Sequence, residues 1–143
     1  MKKISLNNRE IEVDAVIASL ARVGEFVESY LSEIGCPMKA IMQINIAVDE
    51  IFTNIASYAY DKRTGKAAIK IGYDKEASEF WITFTDSGKP YDPMAKEDPD
   101  ITLSAAEREI GGLGIFMAKK LMDEITYEYR DEKNILTMKK RLS

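Results

Sequence analysis

The sequence contains no histidine and a single cysteine, Cys36. Without histidine the chain cannot build a Ser-His-Asp triad, a histidine-containing zinc site or an imidazole general base, and it cannot phosphorylate a histidine of its own. Acid–base chemistry therefore falls to carboxylates, lysine or tyrosine. A single cysteine also excludes an internal disulfide and a thiolate cluster, which suits a reducing compartment, and we expect a cytoplasmic protein.

Long apolar runs and an excess of positive charge are also lacking. No apolar segment approaches the roughly 20 residues that span a bilayer. The first ten residues, MKKISLNNRE, have no apolar region of the kind a signal peptide needs. The formal net charge is −4, which provides no electrostatic footprint for nucleic acid. We therefore expect neither a membrane nor a direct nucleic-acid partner.

The composition that remains is that of an ordinary globular protein. Of 143 residues, 45% are hydrophobic and 31% are charged. This length suffices for one hydrophobic core without disulfides or metals, whereas two domains would each be marginal. We expect a single domain over residues 1–143.

Hydrophobic spacing predicts three helices and five strands. The first helix has Asp14 as its N-cap and ends at Gly35, the second begins after Pro37, and the third covers residues 115–122. Apolar positions at helical spacing predict that the first helix buries Ile17, Leu20, Gly24, Val27, Leu31 and Ile34. Alternation predicts strands over residues 2–6, 67–73, 79–85, 124–130 and 134–140.

The order of these elements indicates the fold class. A strand, two helices and two strands are followed by a long polar segment, residues 89–110, and then by a helix and two strands. Helices grouped beside strands joined by short turns predict an α/β (α+β) two-layer sandwich, with a mixed, mostly antiparallel sheet and helices on one face. A segment as long as 89–110 in a compact domain is typical of a lid over a site.

The second helix carries an acid, Glu50, and a carboxamide, Asn54, four residues apart and therefore on one helical face. This pair lies beside the predicted buried stripe, where a cleft could open. The Asn oxygen is a suitable ligand for Mg²⁺, and a carboxylate one turn away could orient or deprotonate a hydroxyl. Taken alone, such a pair is more often hydrated surface than a site.

Two glycine-containing motifs follow. Asp86-Ser87-Gly88 ends a predicted strand; it is common turn chemistry, but Asp86 could accept a hydrogen bond from the exocyclic amine of adenine, with Gly88 allowing close approach of the ring. The run GGLG, residues 111–114, stands directly before a helix. Its backbone N–H groups could cradle phosphate, or the glycines could serve as a hinge for the lid.

Together, these motifs in this order resemble the GHKL superfamily of ATPases, which has the Bergerat fold, and within it the bacterial anti-sigma-factor serine/threonine kinases. The resemblance covers nearly the whole chain: DEIFTNIASYAY is similar to the N-box, DSGKPYDP to the adenine box and GGLG to the glycine box. It implies that Glu50 is the catalytic base and Asn54 the magnesium ligand. It further implies nucleotide contacts from Asp86, Gly88, Arg108, Gly111, Gly112, Leu113 and Gly114.

The resemblance implies an Mg-ATP-dependent serine/threonine-protein kinase, commonly a homodimer, that phosphorylates a small anti-sigma-factor antagonist. When that antagonist is absent, such a protein sequesters a sigma factor. One alternative is an ATP-binding anti-sigma or regulatory module with little or no transfer, which is favoured by Ile110, where some kinases of the branch have Arg. Two further possibilities are the catalytic domain of a two-component histidine kinase and a purely structural protein.

Overall fold

The computed structural model describes residues 8–60, 64–95 and 112–142. Short 3-10 turns cover Ile17–Ser19 and Pro93–Ala95. The helices and strands of the described residues are, in chain order, β1 Arg9–Asp14, α1 Leu20–Glu33, α2 Met38–Tyr58, β2 Lys66–Asp74, β3 Glu79–Asp86, α3 Gly112–Leu121, β4 Glu124–Arg130 and β5 Lys133–Arg141.

The five strands form one sheet in the order β1-β2-β3-β5-β4. Every pairing among the described strands is antiparallel, so the sheet is antiparallel where the sequence predicted a mixed, mostly antiparallel one. The register places Asp86, at the end of β3, opposite Ala67 on β2 and Asn134 on β5. Three distant parts of the chain therefore meet at this end of the sheet.

The core lies between one face of the sheet and the three helices. Alternate residues of the central strands are buried, as the period of two predicts, whereas their neighbours, apart from Gly72, are partly or fully exposed. The fully buried side chains of these strands include Ile69, Ile71, Phe80, Ile82 and Met138, and those of α2 include Ile44, Val48 and Phe52. The predicted two-layer α/β sandwich is confirmed.

Predictions near the N-terminal end were partly wrong. Asp14 is not an N-cap: it is the last residue of β1, and its carboxylate accepts a hydrogen bond from Lys66 at 2.5 Å. Helix α1 begins only at Leu20. The sequence REIEVD of β1 alternates, but its acids disfavour strands and favour helix starts, which hid the edge strand. The predicted strand over residues 2–6 lies outside the described residues.

The buried stripe of α1 also differs from the prediction. Ile17 is 54% exposed, because it lies in the 3-10 turn that precedes the helix. The predicted burial of Val27 and Leu31 is confirmed, and the helix also buries Val23 and Tyr30, which were not predicted. Its predicted end is confirmed, since Gly35 has a φ of 75°, a left-handed conformation that glycine adopts without steric cost. None of the described helices is both long enough and apolar enough to cross a membrane.

Candidate functional site

A cleft opens between the C-terminal half of α2 and the strands β3, β4 and β5. Apolar side chains form much of its wall: Ile51 and Ile55 from α2, Phe84 from β3 and Leu136 from β5. The polar side chains that line it include Asn54, Asp86, Tyr127 and Asn134. A concave apolar pocket with a few convergent polar groups is typical of a small-molecule site.

Asp86 is the buried carboxylate of this cleft. It is 6% exposed, and its Oδ1 accepts hydrogen bonds from Gly88 N and from Asn134 Nδ2, each at 2.9 Å. Burial raises the pKa of Asp86, and these two hydrogen bonds oppose the rise. Because both donors use Oδ1, neither occupies the second oxygen, which can accept a hydrogen bond from a ligand.

Gly88 is buried against the end of α2. A Cβ at this position would lie 2.1 Å from the carbonyl oxygen of Ala59, and Lys89 N donates to the same oxygen at 2.8 Å. From the sequence, Gly88 was predicted to let a ligand ring approach the backbone closely. In the structure, the nearest neighbour of an added side chain would be the α2 backbone, so glycine is needed here for packing.

Hydrogen bonds of Tyr60 also hold the loop that follows β3. The hydroxyl of Tyr60 accepts a hydrogen bond from Ser87 N at 2.8 Å and donates to the carbonyl oxygen of Lys66 at 2.6 Å. The Tyr60 ring also covers Gly65, where a Cβ would lie 2.3 Å from a ring atom. The loop that carries the Asp86 motif is therefore tied both to α2 and to the start of β2.

Asn54 and Glu50 lie one turn apart on α2, as predicted, but in different surroundings. Asn54 lines the cleft and is 7% exposed, and none of the described residues hydrogen-bonds its Nδ2. Glu50 is half-buried and is not among the lining residues. Burial, and secondarily the charge of Asp49, raise the pKa of Glu50. The structure thus brings Asn54 to the same cleft as Asp86 and leaves Glu50 one turn away.

The glycine motif stands at the start of α3. The helix begins at Gly112, so the backbone N–H groups of its first turn, which includes Leu113 and Gly114, have no partner within the helix. Helix α3 packs on α2, and its Ile115 and Ala118 belong to the common core. Arg108, Gly111 and residues 96–110 of the predicted lid lie outside the described residues.

The types of side chain at the site indicate which metal ion it could hold. Among the described residues there is no group of three or more His, Cys, Asp or Glu that could hold a metal ion. A carboxamide such as Asn54 would instead be a single protein ligand. That arrangement fits Mg²⁺, which takes few protein ligands and completes its octahedron with water and phosphate oxygens.

Four polar residues of the cleft were not singled out as site residues from the sequence: Lys89, Tyr91, Tyr127 and Asn134. For Asn134 a signal existed, because the alternation that buries Leu136 and Met138 places Asn134 on the same face of β5. A polar residue at a core position requires partners, so it is a candidate for a site. The other three residues carry no such pattern, since they flank a loop or lie on the outer strand β4.

Comparison with known proteins identifies the family. The family model of the histidine kinase-like ATPase domain matches residues 13–140. The chain belongs to this family. The match confirms the resemblance to the GHKL superfamily that the three motifs predicted.

Individual relatives are named as protein kinases. The chain is 28% identical over 95 residues to the serine/threonine-protein kinase BtrW of Bordetella bronchiseptica, over 66% of each chain. It is 30% identical over 102 residues to the serine-protein kinase RsbW of Bacillus licheniformis, over 66% of this chain and 61% of that one. These two alignments therefore span somewhat less than two thirds of the relatives' length. RsbW of Staphylococcus aureus is 26% identical over 137 residues, 92% of this chain and 84% of its own.

A solved structure has the same fold. The crystal structure of the RsbU and RsbW domains of a Mycobacterium tuberculosis protein matches 95% of this chain with a TM-score of 0.69 and 19% identity. The match covers 32% of that longer chain. At this identity the likeness supports the fold alone.

Proposed function

We propose that this protein is an Mg-ATP-dependent serine/threonine-protein kinase that also acts as an anti-sigma factor in a partner switch. The observation that carries the proposal is the single cleft lined by a buried carboxylate, Asp86, and a buried carboxamide, Asn54. Similarity to relatives named serine-protein kinases supports the type of reaction.

Adenine would bind at the β3 end of the cleft. Asp86 would accept a hydrogen bond from the exocyclic amine, and the apolar wall formed by Ile51, Phe84 and Leu136 would contact the ring. Guanine carries a carbonyl oxygen where adenine has the amine, and two acceptors facing each other repel. The site would therefore prefer ATP to GTP.

The phosphates would extend toward α2 and the start of α3. Asn54 would hold Mg²⁺, and Arg108, Gly111, Gly112, Leu113 and Gly114 would contact the phosphates, mainly through backbone N–H groups at the helix N-terminus. When bound, Mg²⁺ would neutralise part of the negative charge of the phosphates. The orphaned Nδ2 of Asn54 is a donor that a phosphate oxygen could satisfy.

Glu50 would act as the base. It would accept the proton of a Ser or Thr hydroxyl on the partner protein, and the raised pKa of Glu50 makes its carboxylate a stronger base. The partners would be a small anti-sigma-factor antagonist, which receives the phosphoryl group, and a sigma factor. We further propose a cytoplasmic homodimer whose single domain spans residues 1–143, with an ATP lid over residues 89–110.

One structural observation favours a second candidate function. Glu50 is not among the residues that line the cleft, so a protein that binds ATP as a regulatory switch, without transferring phosphate, is the alternative. The two candidates share the ATP site and differ only in whether Glu50 acts on a hydroxyl. Transfer of label therefore separates them.

The experiment is incubation with γ-labelled ATP and candidate antagonist proteins, with and without Mg²⁺. We expect label on a Ser or Thr of one antagonist, and we expect Glu50→Gln to bind ATP normally but to transfer label roughly 10²–10⁴-fold more slowly. Glu28→Gln is the control, because Glu28 is an exposed acid on α1 that does not line the cleft. Wild-type transfer by Glu50→Gln would refute the base; ATP binding without transfer to any antagonist would favour the switch.

A further inference from the structure

We infer that Asn134 is a positioning residue that ties the carboxylate of Asp86 to residues 88–91, here called the lid root. A single side chain would then set both the geometry of adenine recognition and the path of the chain as it enters the lid. The inference rests on the proposed function, because it takes Asp86 as the adenine acceptor.

The register of the sheet puts Asn134 in place. Asn134 follows the tight turn formed by Asp131 and Glu132, both at positive φ, and pairs with Asp86 across β3 and β5. Its side chain is 6% exposed and lines the cleft. A buried carboxamide is stable only if its hydrogen-bonding groups are paired.

Both ends of the Asn134 carboxamide are paired. Its Nδ2 donates to Asp86 Oδ1 at 2.9 Å and to the carbonyl oxygen of Lys89 at 2.9 Å, with that of Gly88 at 3.4 Å. Its Oδ1 accepts from Tyr91 N at 3.1 Å and from the hydroxyl of Tyr127. Two N–H groups and two lone pairs are thereby used, which is the full capacity of the side chain.

The partners also dictate which way the carboxamide points. If its oxygen and nitrogen were exchanged, the oxygen would face the Asp86 carboxylate and the Lys89 carbonyl, and the NH₂ group would face the N–H of Tyr91. Those contacts are repulsive, so only the observed orientation satisfies the network. Asp86 is consequently always met by a donor on Oδ1.

The fixed Nδ2 donor of Asn134 determines which oxygen of Asp86 is available to the nucleotide. With Oδ1 of Asp86 engaged by Asn134 and by Gly88, the second oxygen is the one available to the exocyclic amine. The same carboxamide holds Lys89 O and Tyr91 N. Loss of the Asn134 side chain should therefore disturb nucleotide affinity and the lid root together, whereas a merely structural residue would change only stability.

The test compares Asn134→Asp and Asn134→Leu with the wild type, using ATP with Mg²⁺ as the probe. The first replaces the donor by an acceptor of the same size, and the second removes all the hydrogen bonds. At neutral pH we expect both to bind ATP at least about tenfold more weakly, the cost of leaving a buried charged group without its donor. Asn45→Leu is the control, because Asn45 is a half-buried Asn on α2 that does not line this cleft.

A pH series adds a readout that a structural defect would not give. In Asn134→Asp two carboxylates face each other, with Tyr127, Lys89 and Asp92 as the other titratable groups around them, and one proton shared between them restores a donor. The ratio of wild-type to Asn134→Asp affinity should fall as the pH falls. The ratio for Asn134→Leu should show no such recovery; equal profiles for the two variants would overturn the inference.

Amide hydrogen exchange of Tyr91 in the nucleotide-free protein gives a readout independent of ATP. Tyr91 N donates to Asn134 Oδ1 at 3.1 Å and to the Tyr127 hydroxyl at 3.2 Å, so exchange should be faster in Asn134→Leu, which removes the first acceptor. It should also be faster in Tyr127→Phe, which removes the second acceptor, and Tyr129→Phe is the matched control for that variant. If wild type binds no adenine nucleotide, the proposed function fails, and this exchange still decides whether Asn134 holds the lid root. Unchanged Tyr91 exchange in Asn134→Leu, or unchanged ATP affinity in both folded Asn134 variants, would show that Asn134 positions nothing.

Discussion

The two ends of the cleft differ in how their polar groups are satisfied. At the β3 end, Asp86 and Asn134 hold each other, and the same network includes the backbone of the lid root. At the α2 end, the equally buried Asn54 has an Nδ2 that none of the described residues hydrogen-bonds. The β3 end therefore has a fully paired carboxamide beside a carboxylate with one oxygen available to a ligand, whereas the α2 end has a buried donor that no described residue pairs.

This difference has a physical meaning. A closed network fixes geometry and costs little, whereas a buried polar group without a partner costs roughly 1–3 kcal/mol of stability. Such a cost at one end of a cleft is expected where a ligand supplies the missing contact. The comparison therefore favours a rigid adenine end and an α2 end that is completed by phosphate and metal.

The largest effect is expected for Asp86→Asn, as a loss of ATP affinity. The amide would present an N–H donor or a weaker acceptor to the adenine amine, so ATP affinity should fall at least about 100-fold. Isothermal titration calorimetry measures this loss. If the variant bound ATP as tightly as the wild type, the β3 end would not be the adenine end.

The same variant carries a stability prediction. Because burial raises the pKa of Asp86, its contribution to stability is fully present below the unfolded-state pKa and is lost as the pH rises through the folded-state pKa. Asp86→Asn has no such loss, so its melting temperature should exceed that of the wild type at neutral pH. The difference should shrink in acid, and a constant difference would contradict this account.

An intermediate effect is expected for Gly88→Ala. The added Cβ would meet the Ala59 carbonyl oxygen at 2.1 Å, and backbone cannot move aside, so we expect a loss of about 1–3 kcal/mol in urea unfolding. Gly24→Ala is the matched control: no atom lies within 4 Å of its added Cβ, and it lies inside α1. That substitution should stabilise by about 0.5–1 kcal/mol; equal effects at the two glycines would disprove the packing role.

The smallest effect is expected for Asn54→Leu, at the α2 end of the cleft. Asn54→Leu removes the unpaired donor, so the free energy of unfolding should rise by about 1 kcal/mol. If Asn54 is the magnesium ligand, ATP affinity in this variant should no longer differ between Mg²⁺ and EDTA. If the variant were less stable than the wild type and kept the Mg²⁺ dependence, Asn54 would be paired within the protein and would not be the magnesium ligand.

Local patterns determined much of this protein from the sequence. Period-two alternation located β2, β3, β4 and β5, helical spacing located α2 and α3, and Gly35 ended α1, because each of these signals depends on residues close in the chain. The same holds for the motifs around Glu50, Asn54 and Asp86. Local patterns gave a wrong prediction at Asp14, because the acidic residues of this edge strand are also typical of a helix start.

Tertiary structure alone decided what surrounds those motifs. The side-chain partner of Asp86 is Asn134, 48 residues away, and the neighbour that requires Gly88 to be glycine is Ala59, the residue that follows α2. These contacts follow from the register of β3 with β5 and from the packing of α2 on the sheet, which join segments that no local period relates. The sequence by itself determined which polar residues stand at element ends, and the fold decided which of them are paired.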